Sequence, residues 1–218
     1  MIPRTLHHVW VGPKPVPFPL VEAWRAMHPN WEHRLWRESD IRAFGLRNAN
    51  AFAKYMRLGL WHGAVNVARI EILNREGGVY VDMDTVPMRP FGNAVFMRAK
   101  VGLFAGYVQP RPEYPGLIGN AYIGAVPGHP VLRIAMDTIA RCKRLTPPYV
   151  QTGVLPFSNA VKASQALGRD DIYIAPTHVF YPVDKDGIAA PEGKGRIYAR
   201  HFWGSTVSTP WNYGDPAP

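Results

Sequence analysis

The sequence contains a single cysteine, Cys142, so no internal disulfide can form and nothing in its cysteine usage asks for an oxidising compartment. It has no continuous apolar run of about 18 residues, so no transmembrane helix is expected. The opening stretch MIPRTLHHVWVGP lacks the apolar core and small-residue cleavage site of a signal peptide. These absences together predict a cytoplasmic protein. Internal repeats and low-complexity tracts are also missing, and the basic residues form no run like a nucleic-acid tail.

What is present is a globular composition over 218 residues, enough chain for one domain with a real core. Lys and Arg number 25 against 16 Asp and Glu, so the field of the molecule attracts phosphate-bearing partners, although the basic residues are scattered. Residues 5–11 (TLHHVWV) read as a first strand, 20–27 as a short helix, and 31–37 (WEHRLWR) as an alternating strand. Ser39 is placed to cap a following helix. A longer helix is expected over 63–75, with Val67, Ile70 and Leu73 on one side and Gly77 as its C-cap. Residues 79–81 form a strand, 130–144 a helix, and 171–175 and 196–199 later strands. Strands alternating with helices predict a single α/β domain over 1–210, a mixed central sheet flanked by helices, with 211–218 as a loose tail.

The stretch GGVYVDMDTVP (77–87) delivers two acids at the tip of an apolar strand. Side chains alternate along a strand, so Tyr80, Asp82 and Asp84 share one side if the strand persists that far. Two carboxylates so close repel, and one pKa should rise unless a cation compensates. Hard oxygen ligands at this spacing suit Mn²⁺ or Mg²⁺. Open α/β sheets bind ligands beyond the carboxyl ends of their strands. A solvated Asp-x-Asp loop is the bland alternative. Two chemistries fit the pattern: transfer of a sugar from a nucleotide diphosphate sugar, where a metal stabilises the departing diphosphate, and phosphoryl transfer of the haloacid dehalogenase type, with Asp82 as nucleophile and Asp84 as acid/base. The phosphatase pattern normally sits on the first strand and needs a later acidic pair, for which Asp170 and Asp171 are poorly placed.

Residues 64–90, AVNVARIEILNREGGVYVDMDTVPMRP, resemble the DXD sugar-binding region of glycosyltransferase family 32, which includes fungal α-mannosyltransferases and is similar to the glucosylating domains of large clostridial toxins. The matching positions are Arg69, Leu73, Gly77, Gly78, Tyr80, Asp82 and Asp84. IPRTLHHVWVG, HPNWEHRLW and ARHFWGSTV resemble further family segments in the family's order, with weaker echoes at PGHPVL, TGVLP and VFYPV. The resemblance implies a GT-A fold and a metal-dependent, retaining hexosyltransferase using a UDP- or GDP-sugar. It implies that Asp82, Asp84 and Arg69 form the catalytic set and that His201, arriving on the C-terminal loop, is a third metal ligand. Val9, Trp10, Asn66, Arg69, Tyr80, Asp82, Asn120, Trp203 and Ser205 would hold the donor, Trp10 by stacking on its base. Four of these have a plainer alternative: a core tryptophan for Trp10, a surface ion pair with Glu71 or Glu76 for Arg69, packing for Tyr80, a structural role for His201.

Two positions depart from the family. Asn66 stands where an aspartate accepts from the sugar, and Val154 follows Thr152 and Gly153 where the family has T-G-P. The first leaves donor identity open and also permits a catalytically weak carbohydrate- or nucleic-acid-binding module. The second leaves the acceptor open: a glycan, a protein hydroxyl, or a phosphate-rich acceptor such as modified DNA.

Overall fold

The structure, a computed structural model, describes residues 1–110, 115–142, 147–190 and 195–204. In chain order the elements are β1 (Thr5–Val9), α1 (Phe18–Met27), β2 (Glu32–Trp36), α2 (Glu38–Phe44), α3 (Ala49–Arg57), α4 (Trp61–Glu76), β3 (Gly78–Val81), β4 (Thr85–Pro87), β5 (Leu103–Tyr107), β6 (Ile118–Ala125), α5 (Pro130–Arg141), α6 (Pro148–Gln151), α7 (Val154–Ala166), β7 (Ile172–Ala175), α8 (Thr177–Phe180) and β8 (Ala199–His201). Six strands form one mixed sheet in the order β2-β1-β3-β6-β5-β7, and β4 pairs with β8 in a separate ribbon. In the large sheet only β6 runs against its neighbours. The expected mixed α/β sheet flanked by helices is therefore what the chain forms.

The alternation of β3 divides the core. Tyr80 points into a layer shared with α4, α5 and α7, while Val79 and Val81 enter an aromatic layer around Trp24, Phe91, Phe104 and Tyr122. Both faces of the strand are covered, which is why it reads as an unbroken apolar run. Gly77 ends α4, its N–H reaching Leu73 O at 2.9 Å. Gly78 follows at φ 94°, where a Cβ would lie 2.6 Å from Thr5 O and 2.8 Å from the His7 ring. Glycine is needed there on both counts. His7, read only as a strand residue, braces this turn: Nε2 bonds Gly77 O at 2.9 Å and Nδ1 accepts from Trp36 at 3.1 Å. Burial lowers its pKa to about 4 and keeps it neutral, as that pattern of one donor and one acceptor nitrogen requires.

Several boundaries differ from expectation. The second helix begins at Glu38, and its start is closed by Asp40 accepting from Arg37 N–H at 2.8 Å, so Ser39 lies inside the helix and does not cap it. The last strand is Ala199–His201, later than the 196–199 reading, because its register is set by pairing with β4. The helix from Pro130 ends at Arg141. The strand carrying the acids stops at Val81, and the chain turns at Met83 and Asp84. Helices α3 and α7 and strands β4 to β6 have no counterpart in the sequence reading. The proposed tail, 211–218, lies outside the described residues, as does Ser205.

Candidate donor site at the carboxyl edge of the sheet

The carboxyl ends of β1 and β3 and the start of β6 converge on one cavity of about 450 Å³. Val9, Trp10, Asn66, Arg69, Tyr80, Asp82, Asp84, Asn120, His201 and Trp203 all line it. Every sequence-predicted site residue within the described chain is thus brought to one place.

The acids are held in an ordered way. Asp82 keeps its register for one more residue through its N–H to Ala121 O at 2.9 Å. Its Oδ1 accepts from the Tyr80 hydroxyl at 2.6 Å and pairs with Arg69 at 2.8 Å. Arg69 is no surface ion pair. Its side chain is 4 % exposed, its guanidinium lies 4.4 Å from the Tyr80 ring centroid, and it also donates to Asn120 O. The alternative partners are engaged elsewhere: Glu71 caps the start of α3 through Asn48 N–H at 2.8 Å and Arg47 N–H, and Glu76 faces Arg34. Asp84 Oδ2 accepts from Gly204 N–H at 2.7 Å. Each carboxylate therefore has one oxygen saturated by the protein.

The other oxygens face His201. The β4–β8 ladder pairs Thr85 with His201 and so carries the imidazole beside the acids. His201 Nε2 lies 3.3 Å from Asp84 Oδ1 and 3.7 Å from Asp82 Oδ2. Ligand atoms of the three residues fall within 4.8 Å of one another. Two hard oxygens and an imidazole, each backed by hydrogen bonds from behind, fit a divalent ion of the Mn²⁺ or Mg²⁺ kind.

The expected rise of a carboxylate pKa does not occur at Asp84. Burial pushes it up, but His201 and the Gly204 N–H outweigh burial and hold it below the ordinary range. His201 shows the mirror image: burial lowers its pKa, and the Asp84 and Asp82 carboxylates more than reverse this. Its Nδ1 lies 3.0 Å from the Trp203 N–H, a contact that in the neutral ring leaves the proton on Nε2, facing Asp84. Trp203 adopts φ 59°, the left-handed region, and this turn aims both its own N–H and that of Gly204 at the site.

Asn66 and Asn120 form an amide pair, Asn120 Nδ2 donating to Asn66 Oδ1 at 3.1 Å. Gly153, at the start of α7, packs on Asn66 closely enough that a Cβ there would lie 2.9 Å from Nδ2. Trp10 is half-buried and belongs to neither core cluster, so its ring is not a core tryptophan. Its indole N–H donates to Lys14 O at 2.9 Å.

The sequence reading missed cavity-lining Trp61, His62, Tyr181 and Lys185. The first two were within reach: His62 lies four and seven residues before Asn66 and Arg69, on the same helix face. Tyr181 and Lys185 follow β7 and are brought in only by the fold. Asp171, which a phosphatase would need near Asp82, immediately precedes β7 at the opposite, amino-terminal edge of the sheet, paired with Arg169 at 2.6 Å.

A carboxylate pair and an imidazole thus meet at the carboxyl edge of this sheet. Residues 19–101 match the family described as the glycosyltransferase sugar-binding region containing DXD motif. The match agrees with the resemblance read from the sequence and includes the helix, the glycine pair and the Asp-x-Asp turn. Among curated proteins, the uncharacterized glycosyltransferase L373 of Acanthamoeba polyphaga mimivirus is 29% identical over 143 residues, covering 60% of this chain and 53% of that protein. The chain thus spans about half the length of this relative. Among solved structures, the PaToxG glycosyltransferase superposes with a TM-score of 0.61 at 15% identity, covering 75% of this chain and 70% of that one. The UDP-bound glycosyltransferase domain from the YGT toxin gives 0.58 at 10% identity, covering 90% and 83%. The fold is that of GT-A glycosyltransferases. No described helix is long and apolar enough to cross a membrane.

Proposed function

We propose that this protein is a metal-dependent, retaining glycosyltransferase that moves a hexose from a UDP- or GDP-sugar to a hydroxyl acceptor. The observation that carries this reading is the convergence of Asp82, Asp84 and His201, whose ligand atoms lie within 4.8 Å of one another. A bound Mn²⁺ or Mg²⁺ would supply charge stabilisation for the departing diphosphate. The chain's own residues do the rest. Arg69, buried and fixed by Asp82 and Asn120 O, orients Asp82 and adds positive charge beside the leaving group. The Asn66–Asn120 amides face the sugar. Trp10 offers a flat face to the base. A retaining path in which the leaving phosphate accepts the proton of the acceptor hydroxyl would need no dedicated base or nucleophile. The UDP seen in the YGT toxin domain supports a nucleoside diphosphate donor. The acceptor class stays open between glycans, protein hydroxyls and phosphate-rich acceptors, and a cytoplasmic location rests on the composition.

The test is incubation of the pure protein with UDP- and GDP-sugars, in Mn²⁺ and then in EDTA, following nucleoside diphosphate release. Metal-dependent hydrolysis of one donor is expected, with loss of turnover in Asp84→Asn and an unchanged fold. Full activity in that variant would remove the metal role.

A further inference from the structure

The loop from Trp10 to Lys14 connects β1 to the proline-rich approach to α1, and its polar groups are largely spent inside the protein. Trp10 N–H donates to Trp36 O at 3.0 Å, and the Trp10 indole closes the loop on Lys14 O at 2.9 Å. Gly12 N–H donates to Glu38 Oε1, the first residue of α2, at 2.6 Å. Gly12 itself sits at φ 95° directly over the Trp61 indole: a Cβ would lie 2.8 to 3.1 Å from three atoms of that ring. Trp61 opens α4, the helix that also carries Asn66 and Arg69. Trp61 lines the cavity beside Trp10. Pro13 and Pro15 stiffen the same loop. The aromatic end of the cavity is thus tied to α2 from one side and to α4 from the other.

We propose that Glu38 and Trp61 are positioning residues that hold the Trp10 loop as a preformed platform for the base of a nucleoside diphosphate. This rests on the donor reading above and adds how that end of the site is kept in shape. A flat base gains most from a stacking surface that is already ordered, because ordering a loop on binding is charged against affinity. If the loop visits its platform conformation only a fraction of the time, apparent affinity falls by that fraction. The carboxylate on Gly12 N–H is a charge-assisted bond, the strong kind. Gly12 is the residue that lets the loop close over the Trp61 ring without collision. The diphosphate end is built on other side chains, Asp82, Asp84, His201 and Arg69.

The test is calorimetric titration in Mn²⁺ with UDP, with GDP, and with inorganic pyrophosphate as a probe that lacks a base. Glu38→Ala and Trp61→Ala should weaken whichever nucleotide the wild type binds by about tenfold, the loss of one strong hydrogen bond or ring contact. Pyrophosphate affinity should stay within about twofold. Glu38→Gln, which keeps an acceptor for Gly12 N–H, and Trp61→Phe, which keeps a flat ring, should recover most of the loss. Unchanged nucleotide affinity in the alanine variants would overturn the inference, and so would a parallel loss of nucleotide and pyrophosphate, which marks general damage. A wild-type protein that binds neither UDP nor GDP would instead sink the donor reading, and the platform with it.

Discussion

Arg69→Leu is the perturbation whose consequence can be worked furthest. The guanidinium is 4 % exposed and neutralises Asp82, which is 20 % exposed. Removing one partner of a buried pair leaves the other charge uncompensated, at a cost of about 3–5 kcal/mol. Asp82 retains some water and the Tyr80 hydroxyl, so the lower end applies, about 3 kcal/mol. Asn120 O also loses its charged donor. For a domain of this size 1 kcal/mol is worth about 2–4 °C, so thermal unfolding followed by circular dichroism in EDTA should shift down by about 6–12 °C. The double variant Arg69→Leu, Asp82→Asn should be less destabilised than the sum of the singles, because the second change removes the stranded charge. A shift under about 2 °C, or strict additivity, would show that Arg69 and Asp82 are not the coupled pair described here.

Other outcomes follow from the same geometry. Asp84→Asn should abolish Mn²⁺ binding by titration and keep the fold by circular dichroism, since Asn still accepts from Gly204 N–H, while lowering the melting temperature because His201 loses its nearer carboxylate. The metal-free protein should lose stability as pH rises above about 6.5, the ordinary histidine value. His201 has its folded pKa raised, so its contribution is complete below that value and disappears as pH climbs through the folded one. Melting temperatures from pH 6 upward, compared with His201→Gln, test this, and a variant with the same pH slope as wild type would refute it. Gly78→Ala should destabilise by about 3 kcal/mol from backbone strain and collision with Thr5 O, readable in urea unfolding. Glu71→Gln should cost about 1–2 kcal/mol by stranding one of the two N–H groups at the start of α3, a loss that the same unfolding curve would reveal.

The nucleus of the fold was legible because it is local. The run from α4 through the glycine pair into β3 carries its own helix spacing, C-cap and apolar strand, and it lies where those signals put it. Asp82 came with it at the strand tip, whereas Asp84 is placed by the turn that follows. Strands β5 and β6 left less of a mark because they are covered on both faces and interrupted by glycines, so no alternation survives. Helix α7 was hidden by TGVLP, which looks like a turn, although its Pro sits in the first helical turn where proline is tolerated.

What only the tertiary structure decided is the company these residues keep. The sequence alone put two carboxylates at the tip of a buried strand, and the fold decided that Arg69 pairs with Asp82 and not with Glu71 or Glu76. The sequence named His201 by resemblance, but the distance of 3.3 Å to Asp84 exists only because β8 pairs with β4 in one register. A two-stranded ladder between segments so far apart leaves no periodic trace in either. The same holds for Gly12 over Trp61 and Glu38 beneath it: a contact between distant segments is chosen by the packing of the whole sheet, and local preference carries no record of it.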